Sequence, residues 1–288
     1  MRVICSCENK EYLWWQAELL CYTFDLVRMP GEPLILVAKT DEPEREFAGI
    51  AVPVSNYKDN VPNEPLVTLN KPGGIAEWAT QEDNSYETML IVDPDTVFVR
   101  PVSDVGRIPE GEVYSEEQSY MWPDIPSNET VLKRHCKIAT RSRVEPVGIY
   151  FMMSFACLRQ LAPLWLEKSI DIASDPICRS ALAYRGWLSD MWGYAIAAAE
   201  LGIRHHIMPF SQVTGANDLS CPLIHYCFPL LKKEDGRWEP RTKKEIVWSK
   251  WSYKAWSEPP GTHGLTVEGE FLIERLREVV AIKRASSS

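Results

Sequence analysis

The stretch Met89-Leu90-Ile91-Val92-Asp93-Pro94-Asp95 decides the reading of the chain. An unbroken apolar tetrad has the composition of a strand buried on both faces, as in a parallel sheet. It stops at two carboxylates separated by one proline. In α/β sheets ligands bind beyond the carboxyl ends of the strands, so Asp93 and Asp95 fall at the expected ligand edge. Two hard oxygen donors at that spacing suit a Mg2+ or Mn2+ ion that keeps waters and accepts phosphate oxygens. A cation also relieves the cost of two unpaired carboxylates at a buried strand end. Asp-Pro-Asp is equally ordinary turn chemistry, so the tripeptide alone leaves a metal site and a plain turn both open.

Upstream, residues 3–6 read as a first buried strand, and residues 8–27 carry Tyr12, Trp15, Leu19, Tyr22 and Leu26 at helical spacing. LILVA at 34–38 is a second short apolar run, residues 50–54 a third, and residues 70–80 a helix. Alternating strands and helices of this kind predict an α/β sheet with right-handed crossovers. Downstream, residues 147–154 predict a strand. A helix over 155–174 follows, with Leu158, Leu161, Leu164, Trp165 and Ile170 on its apolar side. A second strong helix spans 191–202, and short strands are expected at 203–209 and 223–228. From 229 the chain is polar and rich in tryptophan until a charged helix at 267–283. No repeat, low-complexity block or Gly/Ser linker divides the 288 residues, so one domain is expected.

Composition narrows the function classes. The 45% hydrophobic and 25% charged content is that of an ordinary globular protein. The net charge of −9 argues against a general nucleic-acid or anionic-membrane binder, since both require a cationic footprint. No apolar run approaches the ~18–20 residues that span a bilayer, and the N-terminus becomes charged at Glu8 before a signal-peptide core forms. The eight cysteines include no C-x-x-C pair and sit mostly in apolar stretches, which predicts reduced thiols. The expectation is a cytoplasmic protein without a membrane span. Asn128-Glu129-Thr130 is a formal glycosylation sequon that is inert without a secretory route.

Several further residues carry potential chemistry. His225, in the apolar LIHYCF run, is either a satisfied core histidine or the imidazole that completes a metal site with Asp93 and Asp95. His205 and His206 are strand neighbours facing opposite ways and read as structural. Ser189 or Asp190 suits a helix N-cap; the other role for Asp190 is a carboxylate aimed into the cleft to orient a sugar hydroxyl. Asn70-Lys71-Pro72-Gly73-Gly74 leads into a helix and is either a plain loop or a close approach of backbone amides to an anion. Residues 232–254 hold eight Lys/Arg against four acidic residues, with Trp248, Trp251, Tyr253 and Trp256 interleaved with Lys250 and Lys254. Cations beside flat rings suit a diphosphate and a base or sugar face; the alternative is a solvated loop pinned down by its aromatics.

Six segments in order resemble the hydroxyproline O-arabinosyltransferase and peptidyl serine O-galactosyltransferase group of nucleotide-sugar glycosyltransferases. They are EYLWWQAELL, EPLVTLNKPGGIAEW, MLIVDPDTVFVRP, PVGIYFMM with LAPLWLEKS, GWLSDMWGYAIA and LIHYCF, spread over residues 1–256. The resemblance implies a GT-A fold, a Rossmann-like nucleotide-sugar-binding α/β domain closed by a C-terminal lid segment. It implies Asp93 and Asp95 as a DxD motif holding Mn2+ or Mg2+ on the diphosphate, with His225 joining the metal. Asp190 then lies near donor and acceptor as the catalytic carboxylate, and Asn70, Lys71, Lys250, Trp248 and Trp251 line the donor. Within the single domain 1–288, a nucleotide-binding part covers about 1–100, an acceptor part about 101–228, and the lid with the closing helix 229–288. The implied reaction moves a sugar, with retention, from a UDP-linked donor to a hydroxyl of a glycan, peptide or small molecule. Two rivals use the same residues: a HAD-type phosphatase with Asp93 as nucleophile and Asp95 as acid, and a non-catalytic sugar-binding module built on the aromatic tail.

Overall fold

A computed structural model of the chain describes residues 1–61, 64–82, 88–103, 105–182, 186–214, 218–231 and 246–286. The apolar runs at the start of the chain become β1 (Arg2–Glu8), β2 (Leu34–Ala38), β3 (Ile50–Val54) and β4 (Thr88–Val92), all parallel. Helices α1 (Glu11–Leu26) and α2 (Asn70–Gln81) form two of the connections. The chain first steps outward from β1 to β2 and β3, then returns so that β4 pairs with the other side of β1. That reversal opens a crevice beyond the carboxyl ends of β1 and β4, where α/β sheets bind ligands.

The sheet is completed by β6 (Glu112–Glu117), β7 (Val147–Ser154) and β8 (Arg204–Ile207), in the order β3-β2-β1-β4-β7-β6-β8. Strand β7 runs antiparallel to both β4 and β6, while β8 is parallel to β6. Strand β5 (Thr96–Phe98) leaves this sheet immediately after Asp95. It joins a small second sheet with β10 (Leu223–His225) and β9 (Ser211–Val213). A two-stranded ribbon of β11 (Leu230–Leu231) and β12 (Ile246–Trp248) follows, and α7 (Val267–Ser286) closes the chain.

The expected helices form as α4 (Phe155–Ser174) and α6 (Ser189–Leu201), joined through the short α5 (Pro176–Ala181). They lie close because Gly193 presents no side chain: a Cβ there would sit 2.1 Å from Ser169 Oγ. Tyr194 stacks on Phe151 with ring centroids 3.6 Å apart, which seats α6 against β7. The N-cap expected at Ser189 or Asp190 falls instead at Leu188, which makes no side-chain cap. Both polar residues are already inside the helix, and this frees Asp190 for another partner.

Helix α3 (Pro126–His135) and strands β5, β6, β9, β11 and β12 have no counterpart in the expected elements. They are short or polar and owe their form to pairing partners rather than to periodicity. The sequon residue Asn128 is buried in α3, and its side-chain amide donates to the carbonyls of Tyr120 and Trp122. All eight cysteines are free and six are buried, as their apolar settings imply. Among the described residues, no helix is long and apolar enough to cross a membrane.

The tail is docked where it is described. Leu272, Ile273, Leu276 and Val279 of α7 bury against Trp15 and Leu19 of α1, together with Tyr226 and Trp248. Burying each such side chain contributes roughly 1.5–3 kcal/mol. Most of the basic stretch, residues 232–245 with Trp238, lies outside the described residues.

Candidate active site

The DxD tripeptide bridges the two sheets. Val92 ends β4 in the large sheet, and Thr96 begins β5 in the small one. Antiparallel pairing places His225 of β10 opposite Thr96, and the Tyr226 amide donates to the Asp95 carbonyl at 3.1 Å. This register carries the imidazole to the second carboxylate: His225 Nε2 lies 3.2 Å from Asp95 Oδ2. Tyr150 of β7 packs edge-on against the His225 ring and hydrogen-bonds its hydroxyl to Thr96 at 2.8 Å, which fixes the ring from behind. Ligand atoms of Asp93, Asp95 and His225 all lie within 4.8 Å of one another. Two carboxylates and one imidazole in that compass fit a Mn2+ or Mg2+ ion with open positions for water and phosphate.

Two lysines enter the same centre. Lys71, near the start of α2, reaches Asp93 Oδ1 at 2.9 Å and Asp190 Oδ2 at 3.1 Å. Lys250, from the segment after β12, donates to Asp95 Oδ2 and lies over the Trp251 ring, 5.4 Å from its centroid. Three carboxylates thus meet two ammonium groups and one imidazole.

Burial and charge pull against each other throughout. Burial alone would raise the Asp95 pKa, but His225 and Lys250 reverse it and hold the carboxyl well below the usual range. Burial would lower Lys71, and Asp190 and Asp93 outweigh it, keeping the ammonium charged. Burial likewise disfavours charge on His225, which Asp95 overcomes by raising its pKa well above the ordinary value. The Asp190 carboxyl is pushed up by burial against the pull of Lys71.

The remaining expected site residues divide. Asn70 is buried; its Oδ1 accepts the Tyr57 amide at 2.6 Å and its Nδ2 donates to Glu8 Oε1 at 3.3 Å. Gly73 lies under the Tyr57 ring, where a Cβ would come within 2.2 Å of Tyr57 Cγ, so this glycine serves helix packing. Trp248 is a core residue rather than a flat face for the donor: it packs in the ribbon against Trp15, Tyr226 and Tyr253. Pairing of β12 with β11 turns it inward, onto α1. Trp251 is 59% exposed beside Lys250. His205 and His206 are structural as expected, bonded to Glu145 at 2.6 Å and Glu112 at 2.9 Å respectively.

Some residues at the site carry no signal in the sequence. Glu8 ends β1 beside the crevice, buried, with Lys10 at 3.0 Å. Tyr120 feels the charges of Asp93, Asp190 and Lys71, though burial is the main cause of its raised pKa. Glu116 of β6 is buried, accepts from Ser211 and lies within the field of His225; burial pushes its pKa up to about 7. Each sits in a stretch unremarkable in composition and is brought in only by strand order.

Comparison with solved structures gives the fold. The galactosyltransferase LgtC in complex with donor and acceptor sugar analogs matches at a TM-score of 0.53, with 9% identity over 96% of both chains. An active-site mutant of LgtC matches at 0.55, also with 9% identity and 96% coverage. The chain therefore has the GT-A fold. Among curated proteins, the peptidyl serine alpha-galactosyltransferase of Arabidopsis thaliana is 25% identical over 242 residues, 78% of this chain and 29% of that protein. Hydroxyproline O-arabinosyltransferase 3 of the same plant is 28% identical over 192 residues, 60% of this chain and 51% of that protein. Hydroxyproline O-arabinosyltransferase PLENTY of Lotus japonicus is 23% identical over 70% of this chain and 56% of its own length. The chain thus spans between under a third and just over half of these relatives. Residues 1–207 match the hydroxyproline O-arabinosyltransferase family N-terminal domain, and the chain belongs to that family.

Proposed function

We propose that this protein is a metal-dependent glycosyltransferase that moves a sugar from a UDP-linked donor to a hydroxyl acceptor with retention of configuration. The observation that carries the reading is the convergence of Asp93, Asp95 and His225 at the crevice between β1 and β4. Family membership and the names of the relatives support transfer to a peptidyl hydroxyl, on hydroxyproline or serine. In this reading about 1–100 bind the nucleotide, about 101–228 face the acceptor, and 229–288 form the lid and closing helix.

A divalent cation held by Asp93, Asp95 and His225 supplies charge neutralisation for the departing diphosphate. The chain's own residues do the rest. Lys71 holds Asp190 toward the DxD, where its carboxylate accepts a hydrogen bond from a hydroxyl of the donor sugar. Lys250 moves from Asp95 to a phosphate oxygen and brings Trp251 over the donor, stabilising the leaving group and excluding water. The bond from the anomeric carbon to the diphosphate oxygen breaks, and the acceptor oxygen bonds on the same face. The acceptor proton passes to the departing phosphate oxygen, so no protein nucleophile is required.

The phosphatase alternative needs Asp95 as a proton donor. Its pairing with His225 and Lys250 holds it ionised, which disfavours that role. The binding-module alternative rests on an aromatic tail, yet Trp248 is packed in the core. The deciding measurement is thermal unfolding with UDP, with and without Mn2+. UDP is expected to raise Tm only with the metal, and Asp95→Ala to abolish the rise. Equal stabilisation of both proteins, or a rise without metal, rejects the reading. Metal-dependent hydrolysis across UDP-, GDP- and dTDP-sugars then identifies the donor.

A further inference from the structure

A second group of metal-ligating side chains lies away from the β4 edge, in the helical layer. His135 is the last residue of α3, Asp175 is the residue between α4 and α5 and caps α5, and Cys178 lies in the first turn of α5. Both contacts converge on one oxygen: His135 Nε2 is 3.0 Å from Asp175 Oδ2, and Cys178 Sγ is 3.6 Å from it. All three ligand atoms lie within 4.8 Å of one another. The other carboxylate oxygen, Oδ1, accepts from the amides of Ile177 at 2.9 Å and Cys178 at 3.5 Å. That contact fixes the carboxylate, and Oδ2 is shared by His135, Cys178 and the Arg134 guanidinium.

The spacing can be tested against coordination geometry. With Zn–N and Zn–O bonds of about 2.0–2.2 Å and a Zn–S bond of about 2.3 Å, a tetrahedral ion separates its N and O ligands by roughly 3.3 Å. It separates S and O by roughly 3.5 Å. The observed 3.0 and 3.6 Å fall within a few tenths of an ångström of those edges. A nitrogen, an oxygen and a sulfur suit zinc, whereas the oxygen and nitrogen donors of Asp93, Asp95 and His225 suit Mn2+ or Mg2+. Cys178 is fully buried and His135 mostly so, at the rim of a core formed by Met121, Val131, Leu132 and Ile172.

We propose that His135 Nε2, Asp175 Oδ2 and Cys178 Sγ form a zinc site that ties α3 to the α4–α5 junction, with solvent as the fourth ligand. Binding converts the Cys178 thiol to a thiolate and releases its proton to solvent, a pH-dependent cost common to thiolate sites. Arg134 donates to Asp175 Oδ2 and also interacts with the Cys178 side chain, so an entering ion must displace it from both. Its side chain is 41% exposed at the end of α3, so it has room to turn outward when the ion enters.

The test is titration of the purified protein with Co2+, followed by displacement with Zn2+. Wild type is expected to develop the near-ultraviolet thiolate-to-cobalt charge-transfer band at one equivalent, and zinc to bleach it. The band is expected to persist in Asp95→Ala and in Cys227→Ser, which removes the thiol beside His225, and to vanish in Cys178→Ser. His135→Ala, the less buried position, is expected to weaken zinc binding by about 100-fold and to remove the zinc-induced rise in Tm. No band in wild type, or a band that survives in Cys178→Ser, overturns the proposal and leaves the cluster as a hydrogen-bonded cap. Loss of the band in Asp95→Ala overturns it equally.

Discussion

Lys71 and Asp190, each the second residue of its helix, meet at 3.1 Å although 119 positions separate them in the chain. The contact joins α2 to α6, and through Asp93 it joins both to the Asp-Pro-Asp turn. One ammonium serves two carboxylates.

Removing the shared cation exposes that dependence. Lys71→Met leaves Asp93 and Asp190 without their buried partner and is expected to cost about 3 kcal/mol of stability. Adding Asp190→Asn is expected to recover about half, since one uncompensated charge disappears. Denaturant unfolding of the two single variants and the double variant measures the coupling, and strict additivity rejects it.

Lys250 holds the Asp95 oxygen that a divalent cation would take in the proposed site. Lys250→Met is expected to bind Mn2+ about tenfold more tightly, because no ammonium must leave Asp95. Sugar transfer is expected to fall about 100-fold, since the leaving diphosphate loses a cation. Calorimetric Mn2+ titration and donor turnover, run on the same preparation, read the two effects in opposite directions.

The two tryptophans of this segment separate by burial. Trp248→Ala empties a core position and is expected to cost about 3–5 kcal/mol. Trp251→Ala, at an exposed ring, is expected to change stability by no more than about 0.5 kcal/mol while raising KM for the donor. Unfolding curves and donor kinetics on both variants check this division.

Glu116 gives a pH signature. Its pKa rises from 4.5 to about 7, with burial the main cause, so the fold favours the protonated form. The stability it contributes is complete below pH 4.5 and is lost as the pH rises to about 7. Glu116→Gln stays neutral. It is expected to match wild type near pH 4.5 and to exceed it by on the order of 2–3 kcal/mol above pH 7. Chemical unfolding of both proteins at the two pH values decides the matter.

The elements written as continuous apolar runs or helical periods were legible before folding: β1, β2, β4, β7, α1, α2, α4 and α6 lie within a few residues of expectation. The convergence of Asp93, Asp95 and His225 was partly legible, since the two carboxylates follow the MLIV run and His225 lies within LIHYCF. What stayed hidden depends on pairing. Strand β6 is largely polar and exists because β7 and β8 flank it, and with it come Glu116 and the neighbouring Tyr120. The cap reading of Asp190 failed because helix start and cap differ by one or two residues, a shift that composition does not resolve. Of the two readings of Trp248, a donor face or an aromatic pinning the tail, the second holds, because the ribbon folds it onto Trp15.

The proline between the two aspartates marks the boundary of the two sheets. Asp93 moves with β4 and the large sheet, whereas Asp95 and His225 move with β5 and β10. The gap between the carboxylates is therefore a caliper, one jaw on each sheet. A substitution that tilts the small sheet is expected to reset the jaws, and with them the ion that the proposed site would take. If the proposed metal site forms, its ligands are therefore contributed by both sheets, and the packing of one sheet on the other sets their spacing.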